Sequence, residues 1–291
     1  MVLIKQRIIW FLLSALLVAA SFFVVFQYGL KFSIDFTGGS LTEVRYVEGR
    51  PIQEAIESEI RALNLGGFSI RPSGENSYVV RTREMSQAER AALRESLGGI
   101  IERETSIGPT AGAELKGKAM KAIVVVVVMI VLFITFAFRK VSMPVSSWKY
   151  GLATIVALAH DVIIPTGIFV FLGYELDLLF VTGLLAILGY SVHDTIVVFD
   201  RVRENLRINK ENNVEEEFEN TVGESLTQTI TRSINTSVTI FITLLALYLF
   251  GSHVTQTFSL LLIIGLIAGT YSSIFIASPL LVTFYKFQHR K

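Results

Sequence analysis

The sequence contains no cysteine among its 291 residues, which excludes several kinds of chemistry at once. Without thiols the chain can form no disulfide, no thiolate-based zinc or iron–sulfur site and no cysteine nucleophile. Charge is also scarce, since only 18% of the residues are Asp, Glu, Lys or Arg, against about 25% in typical soluble domains. Any exported part of the chain must therefore be stable without disulfide bonds.

Apolar residues, in contrast, are abundant and unevenly distributed. They make up 52% of the chain, and the mean hydropathy is +0.56. Six runs approach or exceed the roughly 20 residues needed to cross a bilayer. The predicted spans are 8–28, 119–138, 150–172, 178–199, 233–250 and 258–284. The sequence thus predicts a polytopic α-helical membrane protein with six transmembrane helices.

Two of these spans have special features. The first is too long for the hydrophobic core of a signal peptide and continues without a polar break, so we expect an uncleaved anchor. The last contains Pro279, which predicts tilt or a kink near its end.

Lys and Arg in short flanking segments predict the orientation of the spans. One side carries Lys5, Arg7, Arg139, Lys140, Lys149, Arg201, Arg203, Arg207, Lys210, Lys286, Arg290 and Lys291. The connecting segments 173–177 and 251–257 contain neither Lys nor Arg. This asymmetry predicts that both termini are cytoplasmic.

The predicted orientation divides the chain into three parts. Residues 1–28 form the cytoplasmic N-terminus and first helix, residues 29–117 an external domain, and residues 118–291 the other five helices and the cytoplasmic C-terminus. The external elements are a strand at 40–46, an amphipathic helix at 51–64, strands at 67–72 and 76–84, a helix at 86–102 and a strand at 103–110. The order βαββαβ predicts an α+β, ferredoxin-like domain, a fold that does not define a function by itself.

The external domain has no His or Cys and no evident acid–base pair, so we do not expect it to be catalytic. A docking or spacer role is the simplest interpretation. Ser86 and Glu89 have the spacing of a capping box at the start of its second helix. Residues 112–118 match the G-x₄-G-K spacing of a phosphate-binding loop, but Ala119 replaces the Ser or Thr that would bind Mg²⁺. We therefore predict no cofactor here.

Two His–Asp dipeptides, His160–Asp161 and His193–Asp194, lie within the third and fourth spans. Adjacent residues on a helix point about 100° apart and chelate a metal poorly. A metal site shared by both spans, as in an intramembrane hydrolase, stays a weak alternative. An ionised carboxylate at membrane depth costs about 2.5–3.5 kcal/mol, which makes Asp161 and Asp194 candidates for function.

The fifth span carries polar side chains at helical spacing. They are Arg232, Asn235, Thr236, Thr239 and Thr243. Arg232 and Asp194 lie at similar predicted depth, and an opposite charge reduces the cost of an ionised carboxylate. The pattern favours a proton relay of Asp194, Arg232, Asp161, His160 and His193, since histidine titrates near neutral pH. A static Asp–Arg pair, or an Arg232 that reaches the membrane surface, is the structural alternative.

Several stretches resemble the SecF family, the smaller membrane subunits of the SecD–SecF protein-export complex, related to the resistance-nodulation-division transporters. They are IDFTGGS at 34–40, IGPTAGAEL at 107–115, ALAHDVI at 157–163, GYSVHDTIVVFDRVREN at 189–205 and LTQTITRSINTS at 226–237. The resemblance covers nearly the whole chain. One departure is His193, where the family usually has Asn.

The resemblance implies a function and partners. The complex would use the proton-motive force to help a translocating preprotein leave the SecYEG channel, with SecD, protons and the lipid bilayer as further partners and no nucleic acid. It implies location in the bacterial cytoplasmic (inner) membrane and a transport role rather than an enzymatic one. Asp194 and Arg232 match the charges tied to proton movement, and Asp35, Phe36, Thr37, Gly38 and Gly39 match an external-loop motif. Half of a proton-coupled efflux transporter and a passive assembly scaffold are the rival interpretations.

Overall fold

A computed structural model describes residues 2–139 and 145–288. Lys140, Arg290 and Lys291, used above to predict orientation, lie outside the described residues. In chain order the elements are α1 Val2–Lys5, α2 Arg7–Tyr28, α3 Ile34–Thr37, β1 Gly39–Arg45, α4 Gln53–Ala62, β2 Phe68–Ser73, β3 Ser77–Thr82, α5 Gln87–Leu97, β4 Ile100–Ile107, α6 Pro109–Ala137, α7 Ser147–Phe171, α8 Leu178–Glu211, α9 Phe218–Phe250, α10 His253–Ser272, a π turn Ser273–Ala277 and α11 Ser278–Gln288.

The described residues contain six helices that are long and apolar enough to cross a membrane, which confirms the predicted number of spans. Three of them extend well beyond the apolar runs, because α6 begins at Pro109, α8 continues to Glu211 and α9 begins at Phe218. Proline is favoured in the first turn of a helix, where its missing N–H is not needed. Hydropathy identifies only the part of a helix that is suited to lipid, so it underestimates the length of helices that continue into water.

A π turn lies close to Pro279, near which tilt or a kink is predicted. Residues Ser273–Ala277 form this turn between α10 and α11, and it ends two positions before Pro279. Proline cannot donate a backbone hydrogen bond, and its ring collides with the carbonyl four residues earlier in a regular α-helix. A wider turn relieves that collision, and such turns often lie at functional sites.

The chain forms two compact units. The first, which we call the helix unit, comprises Met1–Leu30, Ala122–Tyr174 and Leu179–Lys291. Its burial is uneven: at least half of the residues in the most apolar stretch of α7, α8 and α10–α11 are buried, whereas only about a tenth or fewer are buried in the corresponding stretches of α2, α6 and α9. The His–Asp dipeptides therefore lie on the inner helices, and the polar face predicted around Arg232 lies on a peripheral one.

The second unit, which we call the sheet domain, comprises Lys31–Lys121 together with Glu175–Leu178. Its antiparallel sheet has the order β2-β3-β1-β4, so β3 lies between β1 and β2 in a split βαβ arrangement. The core side chains come from one sheet face and from α4 and α5; they include Val44, Ile60, Val80, Leu93 and Leu97. The predicted element order βαββαβ is confirmed.

The second external helix also tests the sequence reading. The capping box is present, since Ser86 Oγ accepts from the Glu89 N–H at 3.3 Å and the Glu89 carboxylate accepts from the Ser86 N–H at 2.8 Å. The predicted continuation of this helix to residue 102 is wrong. Gly98 adopts a left-handed conformation with φ 59° and ends the helix, as glycine often does, and β4 begins at Ile100.

Candidate functional site

The carboxylate of Asp161 lies at the centre of the helix unit. The residue is fully buried on α7, and its Oδ2 accepts hydrogen bonds from Ser191 Oγ of α8 at 2.5 Å and Ser272 Oγ of α10 at 2.7 Å. His160 Nδ1 lies 2.8 Å from the other oxygen, Oδ1. Buried carboxylates are costly unless they are hydrogen-bonded, and here three inner helices share one such group.

His160 extends this cluster toward α2. Its ring is buried and stacks on the ring of Tyr271 with centroids 5.7 Å apart. The Tyr271 hydroxyl accepts from Ser14 Oγ and donates to the Trp10 carbonyl, each at 3.1 Å. His160 Nε2 has no hydrogen-bond partner among the described residues. The imidazole is thus held by its neighbours while one ring nitrogen stays unused.

Buried hydroxyls surround the π turn next to this cluster. Ser273 Oγ lies 2.9 Å from Thr195 Oγ1 of α8 and donates to the Gly269 carbonyl at 2.9 Å. Ser278 Oγ donates to the Ser273 carbonyl at 3.1 Å. These bonds satisfy polar groups near the altered turn, so the irregular backbone lies in a polar interior rather than in lipid.

Asp194 lies on α8 and is also buried, with 2% of its surface exposed. Its Oδ2 has no hydrogen-bond partner among the described residues, and its Oδ1 lies 3.9 Å from Nδ1 of the largely exposed His193. Tyr190, one turn earlier, is close to the carboxylate. Asp194 is therefore the buried carboxylate whose bonding is incomplete, an expensive state at membrane depth.

A short chain of hydroxyls begins at Tyr190 beside Asp194. The Tyr190 hydroxyl lies 2.7 Å from Ser237 Oγ of α9, and Ser237 Oγ lies 2.7 Å from Thr270 Oγ1 of α10. Ser237 also donates to the Ser233 carbonyl of its own helix at 2.8 Å. A hydroxyl has a single proton, so Tyr190 and Thr270 then both donate to Ser237, and a proton passes along the row only when the Ser237 hydroxyl turns away from Ser233.

The polar face predicted on α9 is not brought against Asp194. Arg232, Asn235, Thr239 and Thr243 are exposed, and among the described residues no ion pair joins Arg232 to Asp194. Each threonine hydroxyl bonds a carbonyl of its own helix: Thr236 bonds Arg232 at 3.0 Å, Thr239 bonds Thr236 at 2.8 Å and Thr243 bonds Thr239 at 3.1 Å.

The external-loop motif forms a compact corner of the sheet domain. Ser33 Oγ accepts from the Asp35 N–H at 3.1 Å and so caps the short helix α3. The Asp35 carboxylate accepts from the N–H of Leu178, the first residue of α8, at 3.0 Å. Phe36 is buried, and Thr37 Oγ1 donates to the Ser33 carbonyl at 3.0 Å. Asp35 thus binds the beginning of the helix that carries Asp194.

The two glycines of the motif are required by backbone shape and by close approach. Gly38 has φ 76° and Gly39 has φ 130°. A Cβ on Gly38 would lie 2.7 Å from Pro109 Cα, and a Cβ on Gly39 would lie 2.7 Å from the Thr82 carbonyl oxygen. Both positions therefore require glycine for two reasons: the positive φ angle and the lack of space for a Cβ.

Residues Glu175–Leu178 also pair with the loop that precedes the motif. The Ser33 N–H donates to the Leu176 carbonyl at 2.9 Å, and the Leu176 N–H donates to the Lys31 carbonyl at 2.8 Å. Glu175 forms ion pairs with Arg71, at 2.9 Å, and with Arg81. Burial, followed by the neighbouring charge of Arg71, lowers the pKa of Arg81 to about 10.

Sequence reasoning located the carboxylates but missed most of their partners. Tyr190, Ser191, Ser237, Thr270 and Ser272 were not singled out, although they form the bonds described above. One usable signal was the stretch GTYSS at 269–273, a cluster of small and polar residues inside an otherwise apolar span. Such interruptions of a hydrophobic span favour helix contacts or functional groups over lipid exposure.

Comparison with known proteins gives consistent results along the whole chain. The family model for the protein export membrane protein SecD/SecF, C-terminal, matches residues 92–287, and that for the SecD/SecF GG motif matches residues 23–48. The protein translocase subunit SecF of Thermobaculum terrenum is 40% identical, with 97% of this chain and 93% of that protein covered. That of Anaerolinea thermophila is 35% identical, with 96% and 92% covered.

A solved structure is also similar. The crystal structure of SecDF, a translocon-associated membrane protein from Thermus thermophilus, matches with a TM-score of 0.83 and 31% identity over 96% of this chain. The match covers 38% of that SecDF chain, so the chain described here spans well under half of its length.

Proposed function

The chain belongs to the SecD/SecF family of protein-export membrane proteins, and on that premise we propose that it is one subunit of a proton-driven accessory complex for protein export. SecD is its proposed partner, because the chain spans 38% of the similar SecDF chain. The complex acts on preproteins that leave the SecYEG channel. The distribution of Lys and Arg supports a bacterial inner-membrane location with both termini in the cytoplasm.

The observation that carries the proposal is the buried Asp194, one carboxylate oxygen of which has no hydrogen-bond partner among the residues that the structure describes. Inside a membrane such a group is rare and marks ion or proton pathways. Asp194 accepts and releases the transported proton, and the row Tyr190–Ser237–Thr270 conducts it to or from the carboxylate. One elementary charge that crosses 100 mV supplies about 2.3 kcal/mol, enough to shift a two-state equilibrium roughly fifty-fold.

Arg232 controls the proton affinity of Asp194 through distance. The two residues lie on neighbouring helices and form no ion pair in the described structure. A shift of α9 that brings the guanidinium closer favours the ionised carboxylate, and withdrawal favours proton binding. The remaining polar face of α9, from Asn235 to Thr243, keeps the surroundings of Arg232 polar during that shift. His193 is the proposed entry group, because it is exposed and lies beside Asp194.

Asp161 and His160 form a second proton-binding pair deeper in the unit. His160 Nε2 has no partner in the part of the chain that the structure describes, while Asp161 is held by hydroxyls of two other helices. Protonation of this pair changes which donors the carboxylate needs, and so changes how α7, α8 and α10 pack. Together the two pairs connect proton binding with helix movement.

The proposal is tested by Asp194→Asn, measured as gradient-dependent export in membrane vesicles that contain the full complex. We expect the export stimulated by the proton gradient to be lost while the complex still assembles. Asp200→Asn is the matched control, because Asp200 lies on the same helix but is exposed and paired with Arg203. Full gradient dependence in Asp194→Asn would refute the relay and support a passive scaffold.

A further inference from the structure

We propose that Asp35 of the external-loop motif is a positioning residue that caps the start of α8 at Leu178. The contacts around it form what we call the α8 clasp, defined as residues 31–35 together with Glu175–Leu178. The inference deepens the proposed function, since α8 carries Asp194. It assigns the motif the role of fixing where α8 begins.

The first support is a hydrogen bond to the start of the helix. The first N–H groups of a helix have no partner within it and are satisfied by side-chain oxygens. Asp177 directly precedes the helix, and the Asp35 carboxylate accepts from the Leu178 N–H at 3.0 Å across 143 positions of the chain. A carboxylate from a distant segment thus satisfies the first N–H group of α8, which has no partner within the helix.

The second support is the set of contacts that Glu175 and Leu176 add to that of Leu178. Leu176 forms a parallel bridge with Phe32 through two backbone hydrogen bonds, with Lys31 and with Ser33. Glu175 pairs with Arg71 and Arg81 of the sheet. Backbone, charge and cap therefore all fix the segment that leads into α8 within the sheet domain.

The third support is the stiffness of the corner that carries Asp35. Gly38 packs against Pro109, the first residue of α6, and a Cβ on Gly112 would lie 2.8 Å from the Gly38 nitrogen. The starts of α6 and α8 are therefore held by the same loop. Such close backbone packing leaves little room for the loop to bend between them.

These contacts make the beginning of α8 a part of the sheet domain. From Leu178 to Asp194 the helix extends about 24 Å at 1.5 Å per residue. Loss of the cap frees the first turn of α8, so the helix that carries Asp194 then no longer begins from a fixed point.

The test compares Asp35→Ala with Asp35→Asn in the full complex. Asparagine retains a side-chain oxygen and caps helices as well as aspartate, whereas alanine cannot cap. We expect Asp35→Ala to lose at least four-fifths of the gradient-stimulated export and to speed amide exchange in the first turn of α8 about fivefold. Asp35→Asn should keep both near the wild-type values. Unchanged export in Asp35→Ala, or equal loss in both variants, would overturn the proposal.

A cross-link provides the rescue experiment. The chain has no cysteine, so Phe32→Cys with Leu176→Cys introduces a single thiol pair, and bridged strands lie about 4.8 Å apart, within reach of a disulfide. Oxidation of this pair should restore gradient-stimulated export to Asp35→Ala and leave it intact in the otherwise native chain. If the cross-link does not restore export, Asp35 does not act through the clasp. If the cross-link alone blocks export, the clasp must open during transport. Either result would overturn the proposal.

The outcome is separable from that of the proposed function. If Asp194→Asn keeps its gradient dependence, the relay is refuted, but amide exchange in Asp35→Ala and Asp35→Asn still reports on the clasp. If Asp194→Asn loses the gradient dependence of export while Asp35→Ala keeps the native rate of amide exchange in the first turn of α8, the clasp is refuted and the relay stands.

Discussion

Replacement of Asp161 by alanine should weaken the helix unit more than any other single change in its polar interior. The carboxylate is fully buried and joins three helices through Ser191, Ser272 and its neighbour His160. Within the described residues, Ser191 Oγ donates only to this carboxylate, whereas Ser272 Oγ also donates to the Gly269 carbonyl at 3.1 Å. The variant therefore strands the Ser191 hydroxyl and the His160 Nδ1 atom but not Ser272.

The expected magnitude follows from the two interhelical hydrogen bonds that are lost, those from Ser191 and Ser272. Interhelical hydrogen bonds in membranes contribute about 0.6 kcal/mol on average and up to about 1.7 kcal/mol. Loss of two such bonds lowers the free energy of unfolding by about 1 to 3 kcal/mol. Asp161→Asn keeps an oxygen for the serines and an amide for the imidazole, so it should cost less than about 1 kcal/mol.

The assay is reversible unfolding in mixed micelles, followed by helical circular dichroism as the fraction of denaturing detergent rises. Ser272→Ala is a useful companion variant. It removes one hydrogen-bond donor to Asp161, and the carboxylate keeps its other two partners, Ser191 and His160. Equal stability of Asp161→Ala and the native chain, or equal losses in the alanine and asparagine variants, would refute this account of the cluster.

Three further predictions concern separate parts of the chain. The hydrogen bond from Arg83 lowers the pKa of Glu89 from 4.5 to about 2. The stabilisation from ionised Glu89 is therefore complete above pH 4.5 and is lost as the pH falls toward 2. Glu89→Gln should reduce the pH dependence of sheet-domain unfolding in that window. Gly39→Ala should destabilise the sheet domain by at least about 1 kcal/mol more than Gly74→Ala in thermal unfolding, because both have positive φ but only Gly39 lacks space for a Cβ. Tyr190→Phe should lower gradient-stimulated export severalfold without loss of assembly, because it interrupts the hydroxyl row.

Local sequence patterns predicted the features that depend on neighbours along the chain. Six apolar runs became six long helices, and the Ser86–Glu89 capping box formed as its spacing indicates. The error at residues 98–102 arose because helical periodicity was extended across Gly98, which ends the helix. Periodicity reports which residues share a face, while a glycine in the left-handed region decides where that face stops.

Features that depend on distant segments could not be predicted in the same way. The spacing of Arg232, Asn235 and Thr239 shows that they share one face of α9, but it does not say which face packs. In the structure the packed face carries Ser233 and Ser237, since those small residues permit close approach. Likewise the partner of Asp35 lies 143 positions away, so no local pattern could reveal it.

Proton flux measured directly in proteoliposomes tests the central claim, that Asp194 carries the transported proton. Liposomes would contain the chain with its SecD partner, and a pH-sensitive dye would record the decay of an imposed gradient. The account predicts that Asp194→Asn abolishes the flux seen with the native chain, while Asp200→Asn conducts normally. Native flux through the Asp194→Asn complex would contradict it.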